Sequence, residues 1–303
     1  MPQQLPAVSL VAVPGRRRAT LEVAREIERR GFAGIYAPSV FSNMSLCEAL
    51  CHATERIVFA TSIAPIYART VSDFAQSAAF MHEVSGGRFR LGIGVSHAPA
   101  HVRMGVTPGK PLADTRNFVQ KLRAHDASGA LPPVYLATLR KGMIALAGEI
   151  ADGMVFANGA RSHVASSLSA LPADKRQGAG FFIGNMIPTC ISDDIEAAKA
   201  VNRKTLTHYA YLPNYRNYWK EAGYVEEMEA IETAIAEKRP GDVPKYLTDA
   251  WLADCTLFGP AARVRDGLDA WYAAGVRTPI VVPSSASGNQ MKAIEEMFAT
   301  FTG

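Results

Sequence analysis

The chain has only four cysteines in 303 residues, too few for the disulfide framework that staples small secreted domains. Cys47, Cys51, Cys190 and Cys255 are therefore expected to be reduced and mostly buried. No apolar run is long enough to span a bilayer. The start, Met1-Pro2-Gln3-Gln4-Leu5-Pro6, lacks a charged segment followed by an apolar stretch, so the expectation is a cytoplasmic protein without membrane contact. Charge is also sparse: the formal balance is +4, without the basic face or module that nucleic-acid binding calls for. Metal ligands are missing as sets. Cys47, Cys51 and His52 lie one helical turn apart with no second ligand pair nearby, and no H-x-H or carboxylate set ends a strand, which argues against a metal-dependent hydrolase. Gly92-x-Gly94 lacks the third glycine of a dinucleotide-binding turn, because His97 holds that place.

What is present is an alternation of strands and helices. Ile57-Val58-Phe59-Ala60-Thr61 is short, β-branched and apolar, as a parallel strand buried on both faces requires. Val71, Phe74, Ala75, Ala78 and Met81 then recur at helical spacing, with Ser72 and Asp73 as candidate caps and Gly86-Gly87 as the stop. Arg88 to Gly94 reads as the next strand and runs into Val95-Ser96-His97. The same reading places strands at Val8 to Val13, Gly34 to Ala37, Val134 to Ala137, Gly153 to Ala157, Gly180 to Ile191 and Pro279 to Val282. Pro99, Pro108 and Pro111 mark a loop before a helix from Asp114 to His125. A mostly helical stretch fills Asp193 to Asp254. Eight strand candidates with no low-complexity linker predict an α/β chain of the (β/α)8 TIM-barrel class, one domain over 1–303 with a helical insertion around 193–254. Ligands in such folds sit beyond the carboxyl ends of the strands, which directs attention to Ser62 to Tyr67 and Gly94 to His97.

The phrases SGGRFRLGIGVSHAP and YLATLRKGMIALAGEIADGMVFANGA closely resemble the luciferase-like monooxygenase superfamily, in particular its branch that uses the deazaflavin coenzyme F420. The likeness covers nearly the whole chain, and Gly259-Pro260-Ala261-Ala262-Arg263-Val264 looks like the family's late helix start. It implies a bacterial luciferase-like barrel and hydride transfer between F420 and a small organic substrate, with a homodimer as the expected assembly. An FMN-dependent monooxygenase and a flavin-binding barrel without turnover are the alternatives. Two departures stand out. The segment between the strands ending at Gly94 and Ala137 is shorter than in relatives, and Ala37-Pro38-Ser39 replaces the family's frequent Asp-His pair, which argues against the sugar-phosphate dehydrogenase reaction.

The resemblance also implies site residues. Ser62-Ile63 would form a bulge with a cis peptide not involving proline, pressed on the cofactor's central ring; an ordinary strand end before Pro65 is the other reading. Gly94, Val95 and Ser96 would line the ring or ribityl chain. Ala137, Thr138, Arg140, Lys141 and Gly142 would form the phosphate turn, and Asn158-Gly159 would add a further cofactor contact. His97 is the candidate proton donor, since its ordinary pKa is near neutrality, or else a hydrogen-bonding residue only. Arg16 to Arg18 follow the first strand and either meet an anionic cofactor tail at the barrel mouth or form the solvated start of a surface helix. Tyr209, Tyr211, Tyr215, Tyr218 and Trp219 either roof a substrate pocket or pack helices.

Overall fold

The computed structural model describes residues 4–126 and 129–302. The first three residues of the opening hexapeptide lie outside this range. Among the described residues ten strands are present: β1 (Ala7–Ser9), β2 (Ile35–Ala37), β3 (Phe59–Thr61), β4 (Ala64–Pro65), β5 (Phe89–Gly94), β6 (Val134–Thr138), β7 (Gly153–Ala157), β8 (Phe182–Ile191), β9 (Leu257–Gly259) and β10 (Thr278–Ser284). Helices alternate with them, and the pairings of β1 with β2, β2 with β3, β3 and β4 with β5, and β5 with β6 are all parallel. The fold is a (β/α)8 barrel, as the strand count and alternation predicted. Among the described residues no helix is long and apolar enough to cross a membrane.

Two compact units divide the described chain. The first runs to Val155 and resumes over Ser169–Gly184. Its strands follow the order β1-β2-β3-β5-β6-β7. Phe59, Phe74, Phe89 and Leu91 are fully buried in it. Tyr36, Phe182 and Tyr135 stack in a row, with centroids 5.6 and 4.3 Å apart. Gly153 makes room for that row, because a Cβ there would fall 2.5 Å from Phe182 and 2.7 Å from Tyr135.

The second unit comprises Phe156–Leu168 and the chain from Asn185 on. Here β8 pairs with β9 and with β10. Its core is indole-rich: Trp219, Trp251 and Trp271 are fully buried, and Trp219 meets Trp251 edge to face at 4.7 Å. The predicted helical stretch is realised as helices Ile195–Ala210, Pro213–Glu221, Val225–Ala236 and Asp249–Cys255, with a short 3-10 segment before the last.

Several boundaries differ from the sequence reading for local reasons. β1 is Ala7–Ser9, so it starts one residue before the predicted Val8 to Val13 and ends four residues earlier. Thr70, not Ser72 or Asp73, caps helix Val71–Val84, its hydroxyl accepting from the Asp73 amide at 3.2 Å. The proline-marked loop contains helix Ala98–Met104, because Pro99 sits in the first turn, where its missing N–H is harmless. β9 is an additional strand that the late helix start concealed. All four cysteines are buried thiols.

Candidate functional site

The register of the first unit creates a bulge. Phe59 and Ala60 face Phe89 and Arg90, whereas Ala64 and Pro65 face Ile93 and Gly94, so Thr61, Ser62 and Ile63 oppose only Leu91 and Gly92. The Ser62–Ile63 peptide is cis, the conformation the family resemblance implied. Backbone groups that lose their strand partners at the bulge are recovered elsewhere. The Ser62 amide donates to the Ala37 carbonyl at 2.7 Å. Asn43, at the start of helix Asn43–Ala53, donates from Nδ2 to the carbonyls of Ile63 (3.0 Å) and Ala37 (3.2 Å). Asn43 is 7% exposed, and no local motif signals its role, since its partner lies twenty residues away.

The glycines of β5 answer to protein neighbours. A Cβ on Gly92 would lie 2.0 Å from the Thr61 carbonyl oxygen, and one on Gly94 would lie 2.8 Å from the Ala137 Cβ and 3.1 Å from the Ile63 side chain. Their small size is thus spent on close packing of β3, β5 and β6. Ile63, Gly94 and Ala137 are brought together by this packing.

Beyond β5 the chain turns sharply. Ser96 adopts a φ of +64°, a left-handed conformation that costs a residue with a Cβ about 1 to 2 kcal/mol. His97 follows as the N-terminal flank of helix Ala98–Met104. Burial, and secondly the charge of His101, hold the His97 imidazole below its ordinary pKa, so it is neutral near pH 7. His101 bonds to the Val95 carbonyl through Nε2 at 2.6 Å. Tyr67 donates its hydroxyl to Asp114 at 2.5 Å.

At the end of β6, Thr138 is 5% exposed and its hydroxyl has no hydrogen-bond partner. Helix Lys141–Ile150 starts three residues later without a side-chain cap, and Arg140, Lys141 and Gly142 are exposed there. An orphaned buried hydroxyl beside an uncapped, cationic helix start has the chemistry of an anion cradle. Arg16 to Arg18 are exposed at the start of helix Arg17–Arg29.

Asn158 and Gly159 belong to the second unit, where local partners hold them. Asn158 has a φ of +57° and its carbonyl accepts from the Trp219 indole at 3.2 Å. The Gly159 amide donates to Asn185 Oδ1 at 3.3 Å. The Ala160 amide donates to the Tyr218 hydroxyl at 3.0 Å, and Ser162 donates twice to Asp254. Tyr215, Tyr218 and Trp219 are buried helix-packing residues, whereas Tyr211 is 40% exposed.

The sequence model of the luciferase-like monooxygenase family matches residues 6–278. A putative coenzyme F420-dependent oxidoreductase of Mycobacterium tuberculosis is 26% identical over 281 residues, covering 77% of this chain and 81% of its own. The solved structure of the coenzyme F420-dependent tetrahydromethanopterin reductase of Methanopyrus kandleri superposes with a TM-score of 0.77 at 16% identity, covering 97% of both chains. The oxygenating constituent of 3,6-diketocamphane monooxygenase from Pseudomonas putida, solved with FMN, gives 0.60 at 13% identity over 98% of both chains.

Proposed function

Because the chain belongs to the luciferase-like monooxygenase family, we propose that it is an oxidoreductase that holds coenzyme F420 and exchanges hydride between it and a small organic substrate. The observation that carries this reading is the partnerless buried hydroxyl of Thr138 three residues before the uncapped start of helix Lys141–Ile150, where Arg140 and Lys141 are exposed. F420 is preferred to FMN because relatives named for F420 match both in sequence and, with the higher TM-score, in structure. The expected cofactor contacts in the first unit are Ser62, Ile63, Gly94, Val95, Ser96, Ala137, Thr138, Arg140, Lys141 and Gly142. For Asn158 and Gly159 a cofactor contact rests on the family resemblance alone.

When bound, the deazaflavin supplies the hydride chemistry. The chain's own part is to bind, orient and move a proton. Thr138 Oγ1 and the amides heading helix Lys141–Ile150 would hold the phosphate. The bulge at Ser62-Ile63, which Asn43 holds in place, would help to hold the deazaflavin ring. A neutral His97 would take up the proton of a substrate hydroxyl, and return it in the reverse direction.

Fluorescence titration of the purified protein with F420 and with FMN tests the reading. Quenching of F420 at micromolar concentration is expected. Tight binding of FMN with indifference to F420 points instead to a flavin monooxygenase, and binding without reduction of any acceptor points to a carrier barrel.

A further inference from the structure

A chain of side-chain contacts runs from Asp114 through Tyr67 to His101, which touches the turn that follows β5. Tyr67 stands just beyond β4, and the neighbouring Ile66 amide is tied to the Gly94 carbonyl at 3.0 Å. The Tyr67 hydroxyl donates to Asp114 Oδ2 at 2.5 Å, and the same carboxylate oxygen accepts from the Gly109 amide at 2.8 Å. Gly109 permits that closure: a Cβ there would fall 2.6 Å from Asp114 Oδ1. The Tyr67 ring meets the His101 ring edge to face, with centroids 5.5 Å apart and planes at 86°. Since a carbonyl only accepts, the 2.6 Å contact of His101 Nε2 with the Val95 oxygen assigns a proton to that nitrogen. Between Val95 and His97 sits Ser96 in its left-handed conformation, which persists only where its surroundings impose it.

We propose that Tyr67, His101 and Asp114 are positioning residues that hold Val95–His97 in the shape presenting Ser96 and His97 to cofactor and substrate. The proposal rests on the cofactor reading above. Each residue has one task. His101 pins the carbonyl on one side of Ser96, Tyr67 backs the His101 ring, and Asp114 fixes Tyr67 while drawing in the loop at Gly109. Burial first, and then the Asp114 carboxylate, push the Tyr67 phenol well above its ordinary pKa, so it remains a donor across the working pH range.

The test compares full-length wild type with Tyr67→Phe, His101→Ala and His101→Gln, whose amide can still donate to Val95. Two readouts are taken: amide hydrogen exchange at residues 95–97 in the protein alone, and the dissociation constant for F420 from fluorescence quenching. Tyr67→Phe and His101→Ala are expected to exchange faster at these amides and to bind F420 about ten-fold more weakly, a loss of about 1.4 kcal/mol. His101→Gln should stay within about two-fold of wild type. Unchanged exchange overturns the proposal, as does faster exchange without weaker binding, or His101→Gln failing like His101→Ala. If His101→Ala does not fold, Tyr67→Phe, which keeps the ring, carries the comparison. A wild type that binds neither F420 nor FMN overturns the cofactor reading, and the exchange data then decide the positioning claim alone.

Discussion

The Thr61 hydroxyl donates to the Gly92 carbonyl at 2.7 Å and accepts from the Gly92 amide at 3.0 Å. One side chain thereby replaces the backbone ladder that the bulge interrupts, and both residues are buried. Thr61→Val keeps the shape but leaves two buried backbone groups without partners, and should destabilise the protein by about 1 to 3 kcal/mol. Urea unfolding measures this, with Thr61→Ser retaining most of the stability; equal stability of Val and wild type would contradict the role.

Asn43 makes the corresponding contribution on the other side of the bulge. Asn43→Ala strips the donor from the Ile63 and Ala37 carbonyls and should cost about 1 to 3 kcal/mol. Chemical denaturation gives the stability loss, and F420 titration of the same variant should show weaker binding. A variant as stable and as tight-binding as wild type would remove Asn43 from the site.

Thr138 predicts a separation of stability from binding. Its hydroxyl is buried and unpartnered, so Thr138→Val removes an unsatisfied polar atom and should leave the unfolding midpoint unchanged or raised. If that hydroxyl meets the cofactor phosphate, the same variant should bind F420 about ten-fold more weakly. Unaltered binding would dissociate Thr138 from the anion cradle.

His97 gives a pH dependence of known sign. Its folded pKa lies below the ordinary value of 6.5 because burial, and then the His101 charge, disfavour the imidazolium. As pH falls through 6.5 the unfolded chain takes up a proton that the folded protein resists, so stability is lost on acidification. The slope from this one group is at most about 1.4 kcal/mol per pH unit. Unfolding curves between about pH 5 and 7.5 should show it in wild type, and His97→Gln should flatten it.

The thiols should be silent in the native state. Burial raises the pKa of Cys47, Cys51 and Cys255, and that of Cys190 to about 11. A disulfide reagent at about pH 8 should modify none of the four before unfolding and all four in guanidinium. A thiol that reacts at once in the folded protein would contradict this burial.

The barrel class was legible because strand runs, helical spacing and glycine stops are local and repeat along the chain. Ile57 to Thr61 with Arg88 to Gly94 already showed one complete unit, and Ser62 to Tyr67 and Gly94 to His97 were already marked as the segments beyond the strand ends. The same signals blurred short elements: β9 is three residues long and hidden beside a helix start, and Pro99 reads as loop although a first helical turn accepts it. The expectation of a phosphate turn came from phrase resemblance; that Thr138 is buried without a partner was not visible until its neighbours were in place.

Local patterning thus sufficed for the alternation, the strand ends and the candidate His97, since each depends on residues adjacent in the chain. Folding alone decided that Asn43 would hold the Ile63 carbonyl, that Tyr67 would find Asp114 forty-seven residues on, and that the β5 glycines would be filled by Thr61, Ile63 and Ala137. Those pairings depend on register and on which side chains a one-residue bulge brings opposite each other, and no linear spacing encodes that.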